Sequence, residues 1–99
     1  METSEDTQGI EDGNGPSVRY ILNIYNGRCV VCYATATAVH EIEPRSQDPQ
    51  NWPRIENRVP LCSTCHALVH QEGTRAWAET LRTKRDSLLT LLGRAELLE

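Results

Sequence analysis

All four cysteines and all three histidines of this 99-residue chain fall between Cys29 and His70. The cysteines form two C-x2-C pairs, Cys29/Cys32 and Cys62/Cys65; the histidines are His40, His66 and His70. This collection of metal-binding residue types limits the possible folds more than any other feature. Each C-x2-C pair suits a tight knuckle whose sulfurs face one point, and two knuckles present four thiolates to one tetrahedral ion. The stretch between them is long enough to fold a hairpin and a loop. Two local disulfides, a redox dithiol or an iron–sulfur cluster would use the same four residues. The chain opens on Met-Glu-Thr-Ser-Glu-Asp, without the apolar run of a secretory leader, and no stretch approaches membrane-spanning length. A cytoplasmic location is therefore expected, and in that reducing compartment paired C-x2-C motifs point to a closed structural zinc site.

A staple of this kind is needed. With 38% apolar residues, two Trp, three Tyr and no Phe, the chain makes one domain with a small core. Zinc binding supplies folding free energy that such a core lacks. The formal charge of −4 is unevenly placed: residues 1–17 hold five acids and no base, which leaves +1 for residues 18–99. A near-neutral folded part permits phosphate binding without requiring it.

Residues 1–15 are acidic and almost free of large apolar groups, so they are expected to form a disordered tail, with a single domain over residues 16–99. Pro16 and Ser17 open a helical pattern with Val18, Ile21, Leu22 and Tyr25 on one face, stopped at Gly27. Residues 34–42 alternate and read as a strand or hairpin arm, ended by Pro44. Residues 46–54 form a polar loop with two prolines. From Thr64 the pattern is helical again, with Cys65, Leu68 and Val69 on one side, and Gly73 closes a core spanning 29–72. A last helix over 74–92 carries Trp77, Leu81, Leu88, Leu91 and Leu92 on one stripe. Its leucines pack on the domain's own core or offer a surface for a partner protein or self-association.

His66 and His70 lie four apart on the expected helix, so both rings share one face and can chelate one ion. His40 stands at a strand end beside Glu41. The whole pattern is C-x2-C, then His40-x-Ile42-x-Pro44-Arg45-Ser46, then Asn57-x4-Cys62-x2-Cys65-His66-x3-His70. It resembles the HNH endonuclease family over residues 29–70. That resemblance implies an α+β, zinc-stapled domain with a ββα-metal, treble-clef-like core and flanking helices. It also implies phosphodiester hydrolysis on DNA, by nicking or double-strand cleavage with low sequence specificity, and a setting in a bacterial cell or phage-infected host.

The roles carry over position by position. Aligned on Pro44-Arg45-Ser46, His40 falls on the metal-ligand position and completes a three-histidine site with His66 and His70, while Glu41 falls on the general-base position, where the family has histidine. The other register keeps His40 as the base and puts Val39, which cannot coordinate anything, at a ligand position. Asn57 matches the residue that orients the catalytic loop, and Arg45 is the leading phosphate contact, with Arg54, Arg58, Arg75, Arg82, Lys84 and Arg85 as further candidates. Besides the structural zinc, the resemblance implies one catalytic divalent ion. Imidazole ligands suit Zn, Ni, Co or Mn, whereas Mg prefers oxygen. Free glutamate, with a pKa of about 4.3, is a weaker base than imidazole, so a slower enzyme than a histidine-based relative is expected. A catalytically weak or inactive zinc-binding module for nucleic acid or protein is the alternative.

Overall fold

The computed structural model describes residues 17–47, 49–50 and 52–98; the expected acidic tail lies outside them. Ser17 caps the first helix, α1 (Val18–Ile24), its hydroxyl accepting from the Tyr20 N–H at 3.1 Å. The helix is closed by Asn26 rather than by Gly27. Asn26 takes the left-handed conformation (φ 57°), its N–H donates to the Asn23 carbonyl at 3.1 Å and the Gly27 N–H donates to the Leu22 carbonyl at 2.8 Å. This pair of bonds satisfies two terminal carbonyls of the helix. Its buried face is Ile21, Ile24 and Tyr25, while Val18 is half exposed, so the apolar stripe begins one turn later than the sequence suggests.

Two antiparallel strands follow, β1 (Ala38–Glu41) and β2 (Arg58–Leu61), paired from Ala38↔Leu61 to Glu41↔Arg58. The strand is shorter than the arm expected over 34–42, because residues 34–36 close the first knuckle instead. There the Cys29 N–H donates to the Ala34 carbonyl at 2.7 Å and the Ala36 N–H to the Gly27 carbonyl at 2.8 Å. Pro60 fits within β2 because its position bonds away from β1: its carbonyl accepts from the Val30 N–H at 3.1 Å, which binds the knuckle to the sheet. All four residues of β2 are buried.

The chain then passes directly into α2 (Ser63–Glu72) and α3 (Thr74–Leu91), with Gly73 alone between the helices. Gly73 has φ 108°, a conformation that residues with side chains rarely adopt, and this lets the chain leave one helix and enter the next within a single residue. In α3 the buried residues are Ala78, Leu81, Leu88 and Leu89, whereas Leu91, expected on the stripe, is 69% exposed. Leu92 and Leu97 pack against the core. Arg94 donates to the Asn23 carbonyl at 3.0 Å and to that of Ile24, placing a cation at the negative end of α1 and tying it to the end of α3. The result is a small α+β domain whose sheet touches both α1 and α2, over a core that includes Cys29, Cys62 and Cys65. Among the described residues no helix is long and apolar enough to cross a membrane.

Candidate metal centres

The four cysteines converge. Their sulfurs lie within 4.8 Å of one another, with Cys32 Sγ 3.6 Å from Cys62 Sγ and 3.7 Å from Cys65 Sγ. Sulfurs bound at about 2.3 Å to one tetrahedral zinc ion stand about 3.8 Å apart, whereas a disulfide needs about 2.05 Å. All four are free thiols, so the spacing fits a shared ion. Local structure prepares them for it. Cys62 is the N-cap of α2 and its sulfur accepts from the Cys65 N–H at 3.4 Å, a bond that brings the Cys62 thiol down to about 7. Burial pushes the Cys65 thiol up, a cost that a bound cation would remove. Three of the four residues are buried and Cys32 is exposed, so the cage is closed on its core side.

The three histidines form a second group, with ring nitrogens also within 4.8 Å of one another. His40 comes from β1 and His66 and His70 from one face of α2. The His66 and His70 Nε2 atoms are 3.1 Å apart. Nitrogens bound at about 2.1 Å to one ion stand about 3.0 Å apart at a right angle and about 3.4 Å at the tetrahedral angle. A hydrogen bond between the rings has the same length, so the decisive observation is His40. Only 7% of it is exposed, and its Nε2 is buried with no hydrogen-bond partner. Leaving a buried nitrogen unmatched costs about 1–3 kcal/mol, which a cation accepting its lone pair would recover. Burial first, then the neighbouring His66 and His70, hold His40 down to about 4, so it is neutral and able to coordinate at pH 7. His66 is lowered too, mainly by burial. The residues present fit a divalent ion.

This triad opens into a cleft of about 290 Å³ that Glu41 and Thr74 also line. The Glu41 carboxylate accepts from the Arg45 N–H at 3.3 Å and from the Arg45 guanidinium at 3.2 Å. The same guanidinium lies 3.8 Å above the Trp52 ring, a contact that nothing in the spacing of these residues announced. Asn57 bridges the loop between Glu43 and Trp52: Oδ1 accepts from the Glu43 N–H at 2.7 Å, and Nδ2 donates to the Glu43 and Trp52 carbonyls, each at 2.9 Å.

Most of the other expected phosphate contacts are engaged within the fold. Arg54 pairs with Glu56 at 3.1 Å, Arg82 with Glu43, and Arg85 with Asp86 at 2.8 Å. Arg58 is 8% exposed, beneath Trp52. Arg75 and Lys84 are exposed. Thr74, which none of the sequence motifs includes, also lines the cleft; its position directly after the Gly73 stop is the sequence signal for it.

No family model matches the chain, and no solved structure matches it. A curated relative, the mitochondrial DNA mismatch repair protein mutS homolog of Sarcophyton glaucum, is 33% identical over 73 residues. The match covers 68% of this chain and 7% of that protein, so the chain is similar to one short segment of a much longer relative.

Proposed function

We propose that residues 16–99 are a metal-dependent endonuclease domain of the HNH type, with a ββα-metal core, that hydrolyses DNA phosphodiester bonds. The observation that carries this reading is the convergence of His40, His66 and His70 on one cleft, with a buried and unpartnered nitrogen on His40, beside a separate four-cysteine cage. The order of two antiparallel strands followed by the helix that carries two of the histidines agrees with it. DNA as the substrate draws on the mismatch-repair name of the relative.

In this mechanism Cys29, Cys32, Cys62 and Cys65 hold a structural zinc ion, and the three imidazoles hold a catalytic divalent ion such as Mn, Ni, Co, Zn or Mg. When bound, that ion neutralises charge developing on the phosphodiester. The protein's own residues do the rest. Glu41, on the cleft wall, takes the proton of the attacking water once its carboxylate leaves Arg45. Arg45, released at the same moment, turns its planar fork to a phosphate. Asn57 ties Glu43 to Trp52 and so fixes the loop that carries Pro44 and Arg45. Exchange of Arg45 from Glu41 to substrate would make the base available only when DNA is present.

The hold of Arg45 on Glu41 also favours the second reading, a zinc-stapled binding module with an idle histidine site. A supercoiled-plasmid assay with Mn or Ni separates the two. The nuclease reading expects nicked or linear product with wild type and none with His66→Ala. Uncut plasmid with a folded, one-zinc wild-type chain would establish the module.

A further inference from the structure

We propose that Trp52 is a positioning residue for the three-histidine cleft: its ring holds the Arg45 guanidinium beside the cleft and presents the edge of that group to a backbone phosphate of DNA. This rests on the phosphodiesterase reading of the cleft. Core packing does not account for Trp52. Trp77 packs against the hydrophobic core, whereas Trp52 is half-buried and belongs neither to that core nor to the apolar side chains packed on it. What its ring meets is charge: the Arg45 guanidinium carbon lies 3.8 Å from the ring centroid and that of the buried Arg58 lies 5.9 Å from it. Indole offers the best of the aromatic faces to a cation. Arg45 needs such a restraint, because its side chain is exposed and a single exposed ion pair, here with Glu41 at 3.2 Å, holds a long side chain only weakly.

The two restraints use different parts of the guanidinium. The ring takes its face, and Glu41 takes one edge nitrogen, Nη2. A planar fork stacked by its face keeps its edge N–H groups for two phosphate oxygens. A phosphate can therefore replace Glu41 at the edge while the stack stays in place. The stack is also fixed from both ends by one residue. Asn57 donates to the Trp52 carbonyl and bonds the N–H and carbonyl of Glu43, two residues before Arg45, so the spacing of ring and cation does not depend on the loop between them. The charges agree. Glu41 is the cross-strand neighbour of Arg58, so two cations and one carboxylate surround the ring. Glu43 and Glu56, each two residues before one of these arginines, are paired with Arg82 and Arg54. The excess of positive charge is what an incoming phosphate would balance.

The test is a double-mutant cycle, read by fluorescence anisotropy of a labelled DNA duplex titrated with the zinc-loaded chain. Trp52→Leu should weaken binding about two- to fivefold, the size of one exposed cation–π contact, and Trp52→Tyr, which keeps an aromatic face, should recover most of that loss. In an Arg45→Gln chain, Trp52→Leu should have no further effect, because no cation is left to place. A Trp52 that only shapes the loop, or that stacks on a base by itself, would weaken binding equally in both backgrounds, and that result overturns the proposal. So does unchanged binding in Trp52→Leu, or a wild-type chain that binds no duplex. A second measurement leaves the sequence intact: the Arg45 Hδ signals, shifted by the ring current of Trp52, should keep that shift when duplex is added, and its loss overturns the proposal. A chain that cuts plasmid without coupling between the two positions loses the positioning role and keeps the nuclease reading; coupling in a chain that leaves plasmid uncut does the reverse.

Discussion

Replacing Asn57 by Asp tests the loop architecture with a change of one atom. The new side chain keeps an oxygen to accept from the Glu43 N–H, but it presents a second oxygen where Nδ2 had donated to the Glu43 and Trp52 carbonyls, both at 2.9 Å. Two hydrogen bonds are lost at about 1 kcal/mol each, and a partly buried negative charge then faces two carbonyl oxygens at a further cost of about 1–2 kcal/mol. The expected destabilisation at pH 7 is therefore about 3–4 kcal/mol. Asn57→Ala loses all three bonds without the added charge, at about 2–3 kcal/mol.

The two variants also differ in pH dependence. The facing carbonyls raise the pKa of the new carboxyl in the folded state above its unfolded value of about 3.9. Stability relative to wild type is thus most complete below that value and is lost as the pH rises through the folded pKa. Urea unfolding of wild type and both variants at pH 7.0 and 5.0, with exchange of the Glu43 amide as a local readout, measures this. If Asn57→Asp costs less than 1 kcal/mol at pH 7 and Glu43 exchange is unchanged, Asn57 does not hold the loop.

Other expectations follow from the two candidate metal centres. Glu41→Gln should slow plasmid nicking with Mn at least about 100-fold if its carboxylate is the base, and an unchanged rate removes it from that role. Below pH 6.5 the unfolded chain takes up a proton that folded His40 refuses until about 4, so the stability advantage over His40→Gln should shrink by about 1 kcal/mol between pH 7.5 and 5.5 in denaturant melts without added Mn. Stripping zinc with a chelator should abolish the helical circular-dichroism signal of α2. By linkage, saturating Mn, which thiolates bind weakly, should tighten zinc in a chelator competition for wild type but not for His66→Ala.

The sequence disclosed the parts of this molecule that rest on short-range spacing. The C-x2-C pairs and the i, i+4 histidines each follow from a few neighbouring residues, and α2 and α3 start within a residue of where their patterns do. What it did not disclose depends on pairs distant in the chain. Arg82 reads as a surface phosphate contact until Glu43, 39 residues away, is seen beside it. The stripe through Trp77, Leu81, Leu88, Leu91 and Leu92 includes Leu91, whereas the buried face is Ala78, Leu81, Leu88 and Leu89, a selection made by the elements packed on the helix and not by its periodicity. The stacking of Arg45 on Trp52 crosses a proline-containing loop whose path no periodicity describes.

The two centres are not independent, because they are built on the same backbone. Cys62 directly follows β2 and caps α2 through its sulfur, so an ion bound in the cage would fix where that helix begins. Cys65 and His66 are adjacent, and His70 follows one turn later, so setting the helix start also sets the direction of both rings. On the other side, the pairing of Ala38 with Leu61, the residue before Cys62, fixes the register that brings His40 opposite Val59. A one-residue slip in that pairing would turn His40 to the other face of β1 and leave the site with two ligands from one helix. In a chain with so small a core, an ion held by the four cysteines would keep these two elements aligned, and the histidine cleft could then stay open to a ligand without itself holding the fold together.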